Sequence, residues 1–228
     1  MRTLFLIRHA QGSLGTDDYD RLSATGLQQA GILRQHLQYV HKGQCDILRG
    51  DLRRHRQTAE AIADSAPIKI DADLNEYRVD GLLAAAFADP ERLDIRAPGR
   101  EALADPKAYL DTFLALFPEV LAAWQERRLE CLLNGQWQAF HARVRSAAQR
   151  LQANMQTAET VLAVTSAGVI STMVADLLGH DLAWQRKLNV ALYNASITEL
   201  ALDDHGQWQL KRLNCIAHLP QTELRTLA

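Results

Sequence analysis

Cysteine is scarce in this chain: Cys45, Cys131 and Cys215 are odd in number, far apart and without CxxC spacing. Neither a disulfide framework nor a zinc site is indicated, and buried free thiols are expected. An excess of charge of one sign is also missing, since 25 basic residues face 27 acidic ones for a net charge of −2. A broad nucleic-acid surface is therefore not expected, and an anionic ligand would have to be attracted by a local cluster of arginines. Long apolar runs are lacking too. The run Thr3–Ile7 lasts five residues before Arg8 interrupts it, too short for a signal-peptide core or a membrane span, so a soluble, cytoplasmic protein without a membrane partner is expected. There is no internal repeat and no low-complexity linker. His36, His41, His55, His141, His180 and His205 show no pairing at metal-ligand spacing; no metal is expected, and none of the six is assigned any chemistry.

What is present is apolar material, 47% of 228 residues, sufficient for a substantial core; the simplest organisation is one domain over 1–228 with an insertion. Thr3–Ile7 reads as a buried strand. Leu27, Ala30, Leu33, Leu37 and Val40 recur at helical spacing and predict a helix over about 26–40, with Thr25 and Gln28 as a capping box. Asp46-Ile47-Leu48 reads as a short strand, Asp51 as the cap of a helix over 52–63, and Ile68-Lys69-Ile70 as a third strand. From Val79 to about Asn134, alanine-rich helical segments broken by Pro90, Pro98, Pro106 and Pro118 predict a helical cap inserted over the strand ends. Its Arg92, Arg96 and Arg100 read as solvated charges. Phe140, Val144, Ala147, Leu151 and Met155 mark a long amphipathic helix. Thr160–Thr165 is the clearest buried strand, and it leads through Ser166-Ala167-Gly168 into a helix ended by Gly179. Ser196–Leu202 and Gln207–Leu213, around Asp203-Asp204-His205-Gly206, predict an edge β-hairpin. The expected fold class is α/β: three layers with a mostly parallel central sheet, a helical cap insertion over 79–134 and a C-terminal β-hairpin.

Chemistry concentrates at the predicted strand ends, where open α/β sheets bind ligands. Arg8 and His9 follow the first strand. An imidazole there can act as a nucleophile towards phosphorus, and an adjacent guanidinium suits phosphate oxygens. Four arginines lie within Arg49–Arg56 at the start of a helix, a position that favours an anion. Glu76 stands in the loop after the third strand. Phosphoryl transfer needs a nucleophile, positive donors on the phosphoryl oxygens and an acid for the leaving alkoxide. His9, Arg8 with Arg54, and Glu76 fill those roles.

These stretches resemble the histidine phosphatase superfamily, in its phosphoglycerate mutase-like branch. Leu6-Ile7-Arg8-His9-Ala10 is similar to the opening RHG or RHA motif, Leu22–Ala30 to LTxxGxxQA, the segment from Gly50 to Ala59 to SxLxRAxQTA, and Leu74-Asn75-Glu76-Tyr77 to the LxE loop. The resemblance implies that His9 is the phosphorylated residue, that Glu76 is the proton donor, and that Arg8 and Arg54 bind phosphate without any cofactor. Asn214–Leu219 is similar to an NxxxHL ending, where His218 is expected to pack structurally. Three departures stand out: Gly50 in place of serine, Gln11-Gly12 where many members have Glu-Thr, and Ser166 where the family carries a second histidine. Ser166 and Gln11 are accordingly expected as substrate-binding residues at the phosphate rim. The function implied is a phosphomonoester phosphatase acting through phosphohistidine on a small phosphorylated metabolite; the alternatives are a catalytically weakened phosphoester-binding protein or a phosphoglycerate-type mutase. A homodimer is compatible with the sequence, and no nucleic-acid partner is expected.

Overall fold

The fold follows from two alternating faces on each central strand. The computed structural model describes residues 2–13, 18–40, 45–64, 66–93 and 106–227, with the backbone alone at Val40, Arg92, Pro106, Lys107 and Tyr109. Arg96, Arg100, Pro98 and His41, together with the Arg92 side chain and part of the loop after Gly12, lie outside the described residues. A six-stranded sheet runs in the order β3-β2-β4-β1-β5-β6, with β1 Arg2–Arg8, β2 Cys45–Arg49, β3 Ile68–Ile70, β4 Thr160–Thr165, β5 Ile197–Leu202 and β6 Trp208–Cys215. The first four are mutually parallel, whereas β5 is antiparallel to both β1 and β6.

On β1, Phe5 and Ile7 pack with Leu162 and Val164 of β4 against α1 Ala24–Val40 and α2 Arg53–Ile62. Leu4 and Leu6, with Val161 and Ala163, face the other way. There they meet α5 Pro106–Gln125, α6 Trp137–Asn154, α7 Ala167–Leu178 and α8 Leu182–Ala191. This is the period-two alternation of a strand buried on both faces, and it produces three layers. The predicted cap segment contains α3 Val79–Ala88, the short α4 Pro90–Leu93 and α5. Among the described residues, no helix is long and apolar enough to cross a membrane.

Helix ends depart from the sequence reading. α1 starts at Ala24, and the Gly26 amide donates to Ser23 Oγ, so Ser23 rather than Thr25 caps it. Asp51 does not cap α2. The Arg53 amide instead donates to Asp20 Oδ2 at 2.8 Å, while the Asp51 and Leu52 amides donate to Asn75 Oδ1. Both acceptors come from loops more than twenty residues away in sequence, and the four free amides of a helix start donate to any nearby oxygen. α8, capped by Asp181 through the Trp184 amide, was not anticipated. Gly179 ends α7 in the left-handed region at φ 74°, as its position suggested.

His218 packs structurally, stacked on His36 with ring centroids 5.0 Å apart. Burial, then the neighbouring His36, pushes His218 down to about 4 from an ordinary value near 6.5. The unfolded chain therefore binds more protons between those two values, and stability falls as pH drops from about 6.5 to about 4. His9 and His55, buried and shifted in the same direction, add to that loss. Thermal melts across this window should show it, and a His218→Gln protein should lose less between pH 6.5 and 4 than the parent.

Candidate active site

The sheet register brings the carboxyl ends of three strands level. Arg8 pairs with Thr165 and Arg49 with Val164, so the next residues, His9, Ser166 and Gly50, stand at neighbouring places on one edge. The His9 amide donates to Thr165 O at 2.8 Å and the Gly50 amide to Val164 O at 3.1 Å, extending the ladder past the strand ends. Glu76 arrives from the loop that follows β3 and the short 3-10 turn Ala72–Leu74. Thr165 Oγ1 donates to Leu74 O at 2.5 Å, and Arg143 donates to the carbonyls of Asp73 and Asn75, which fixes that loop. α2 and α7 both begin at this edge and aim their amino termini into it.

His9 is buried, and its Nδ1 lies 2.8 Å from Ala10 O. A carbonyl only accepts, so Nδ1 carries the proton and Nε2 keeps its lone pair. That lone pair accepts from Arg54 Nε at 3.1 Å. Burial first, then the charges of Arg54 and Arg8, hold His9 well below the usual histidine range, so the ring is neutral near pH 7. Arg54 is itself fixed by Asp20, whose Oδ1 lies 2.6 Å from Nη1, and Arg54 lies over the Tyr19 ring at 5.4 Å. Arg8 donates from Nη1 to Leu192 O, and its buried Nε has no partner among the described residues. Two guanidinium groups thus flank the imidazole, and among the described residues Asp20 is the one carboxylate paired to either. The inner end favours an anion.

Glu76 Oε2 accepts from the Gly168 amide at 2.8 Å and Oε1 from the Tyr77 amide at 3.2 Å. A Cβ at residue 168 would stand 2.2 Å from Glu76 Oε1, so glycine is what lets the carboxyl approach the start of α7. Burial raises the Glu76 pKa above the usual carboxylate range, against the opposing pull of the Gly168 amide and Arg54. A carboxyl tuned upward in this way is suited to hold a proton for donation.

Arg8, His9, Arg54 and Glu76 line one cavity of about 700 Å³, as Tyr19 and Asp20 also do. Its outer wall is apolar, formed by Val79 and Leu83 of α3 and by Leu110, Phe113, Leu114 and Phe117 of α5. Arg78 and Asp80 at the rim pair with each other, and Asn189 donates to the Tyr77 hydroxyl at 2.7 Å. Gln11 is placed elsewhere. Its Oε1 accepts from Ser23 Oγ, and it lines a separate recess together with Gly12 and Arg21. Ser166 is buried beside the cavity, with its Oγ 2.7 Å from His55 Nε2. Among the described residues, no cluster of three or more His, Cys, Asp or Glu is placed to hold a metal ion.

Asp20, Tyr19 and His55 escaped sequence reasoning. Asp20 and Tyr19 sit in a loop without periodic pattern, and nothing local marks them. His55 carried the one available signal, a buried histidine one residue after Arg54. Other motif residues prove to be tethers: Thr58 Oγ1 accepts from the Ala10 amide, Gln57 Oε1 from the Leu22 amide and Gln29 Oε1 from the Gln11 amide. They hold the loop around His9 from behind.

The chain matches the family description "Histidine phosphatase superfamily (branch 1)" over residues 4–97 and 109–216. None of the curated proteins matches it in sequence. Among solved structures it is similar to a candidate alpha-ribazole-5′-P phosphatase of Escherichia coli, with 19% identity over 94% of this chain and 96% of the other, at a TM-score of 0.65. It is also similar to a mutant phosphoserine phosphatase of Entamoeba histolytica in complex with phosphoserine (21% identity, 96% and 100% covered, TM-score 0.62). A mycobacterial glucosyl-3-phosphoglycerate phosphatase with inorganic phosphate is a third (22% identity, 96% and 100% covered, TM-score 0.62). At these identities the structural likeness speaks for the fold. The family match spans most of the sequence, and the chain belongs to the histidine phosphatase superfamily, branch 1.

Proposed function

We propose that the protein is a phosphomonoester phosphatase that works through a phosphohistidine at His9 and favours esters whose alcohol part is apolar. The observation that carries this reading is the convergence on one cavity of an Nε2 lone pair, two guanidinium groups and a carboxyl raised in pKa. His9 Nε2 attacks phosphorus in line while Arg8 and Arg54 hold the phosphoryl oxygens. As the phosphorus–oxygen bond to the alcohol breaks, Glu76 gives its proton to the departing oxygen. The Glu76 carboxylate then takes a proton from water, which attacks the phosphohistidine and releases inorganic phosphate and neutral His9. The solved phosphatases of similar fold are in keeping with this reaction class.

The apolar wall bears on the alcohol. Among the described residues, the rim charges Arg78 and Asp80 are paired with each other, leaving no cation assigned to a second carboxylate or phosphate on the substrate. Segment 79–134 serves in this reading as the cap that supplies the apolar wall. A panel of esters tests the reading. Aryl and long-alkyl phosphates should be hydrolysed with kcat/KM at least about tenfold above phosphoserine and 3-phosphoglycerate, since each methylene in an apolar pocket is worth about 1–3 kcal/mol. Preference for the carboxylate-bearing esters would overturn the substrate class, and no turnover across the panel would overturn the phosphatase.

A further inference from the structure

His55 is a buried titratable group beside His9 that the mechanism above leaves idle. It is 0% exposed, its ring centroid is 5.5 Å from that of His9, and its Nε2 lies 2.7 Å from Oγ of Ser166, itself 1% exposed. On its other side the ring lies against Gly50. A Cβ there would stand 2.2 Å from His55 Nδ1, so the ring occupies room that any other residue would claim. Gly50 and Ser166 are two of the positions at which the chain departs from the motifs it resembles, and His55 stands where one of those motifs has alanine. Gly50, His55 and Ser166 thus form one spatial unit.

Proton placement gives that unit a direction. Among the described residues, His55 Nδ1 has no hydrogen-bond partner. A buried N–H without an acceptor is rarer than a lone pair without a donor, so the proton sits on Nε2 and is donated to Ser166 Oγ. The Ser166 hydroxyl hydrogen is then free. The Ser166 Oγ does not turn back to cap α7, and the one hydrogen bond it makes among the described residues is the one to His55. It stands next to His9 at the sheet edge and directly before Ala167, which lines the cavity.

We infer that His55 is a positioning residue of the phosphate site, holding the Ser166 hydroxyl by a hydrogen bond so that the hydroxyl proton is directed at a phosphoryl oxygen. This rests on the phosphatase reading above. His55 touches no reacting atom in this arrangement; Ser166 supplies the donor, and Gly50 supplies the space.

The test is a mutant cycle with steady-state kinetics on 4-nitrophenyl phosphate and a thermal melt of each protein. His55→Leu, which keeps bulk and removes the donor, should lower kcat about a hundredfold with little change in KM, as loss of one transition-state donor does. Ser166→Ala should lose about as much, and the double variant no more than either, because the two act as one unit. His55→Gln places an amide nitrogen where Nε2 stands and should keep kcat within about threefold of the parent, a rescue that packing alone does not predict. Equal losses in His55→Leu and His55→Gln would overturn the inference, as would full activity in Ser166→Ala. If His55→Leu fails to fold, Ser166→Ala and His55→Gln still decide it. An active parent with unaffected variants sinks this inference alone, whereas a parent that forms no phosphohistidine sinks the phosphatase reading and this inference with it.

Discussion

Replacing His9 with alanine should abolish phosphoenzyme formation and lower kcat by at least about four orders of magnitude, because the covalent route is lost and only positioning and electrostatics remain. The neutral ring with its lone pair on Nε2 is the feature at stake, fixed by the Nδ1 proton on Ala10 O. Phosphate binding should survive. Arg8 and Arg54 keep their anchors on Leu192 O and Asp20, so inorganic phosphate should bind the variant nearly as tightly as the parent. Acid-labile, base-stable label from a radioactive ester should appear in the parent and not in His9→Ala. Residual turnover within about tenfold of the parent would show that another group attacks phosphorus.

The second large effect is expected at Glu76. Glu76→Gln keeps the shape of the side chain and its acceptor for the Gly168 amide but cannot release a proton. For alkyl phosphates, kcat should fall by about 10²–10⁴, the usual contribution of a general acid. For 4-nitrophenyl phosphate, whose phenolate departs unaided, the loss in the first step should be far smaller. Equal losses for both leaving groups in the rate of phosphoenzyme formation would mean that the carboxyl positions rather than protonates.

The pH profile carries the same information. The rate requires His9 neutral and Glu76 protonated. Burial lowers the first pKa and raises the second, so both shifts widen the range in which the productive pair exists. Activity should fall on the acid side as His9 gains a proton and on the alkaline side as Glu76 loses one. In Glu76→Gln the alkaline limb should disappear and the acid limb remain.

Much of this arrangement was readable from order and periodicity. Thr160–Thr165 and the alternating hairpin strands left little choice of element, because a strand buried on both faces and one with a wet face print different patterns. Arg8, His9, Arg54 and Glu76 stood out because each follows a strand or opens a helix, places where a parallel sheet gathers its loops. Local chemistry misled where the partner was distant. Thr25 and Asp51 both look like caps, yet Ser23 caps α1 and Asp20 answers the amides of α2. Gln11 looked like a rim residue, and a hydroxyl twelve residues on holds its side chain instead.

Short-range pattern and motif order are enough for the strands of the sheet, the family and the four side chains that ring the cavity. Tertiary structure alone decided that Arg54 leans on Asp20, that an apolar wall from α3 and α5 closes the cavity, and that Gly50, His55 and Ser166 fit one another. The physical reason is range. Periodicity and capping act over a few residues along the chain, whereas a side chain's partner and its pKa depend on whatever the fold brings within a few ångströms, and no stretch of sequence carries that distance.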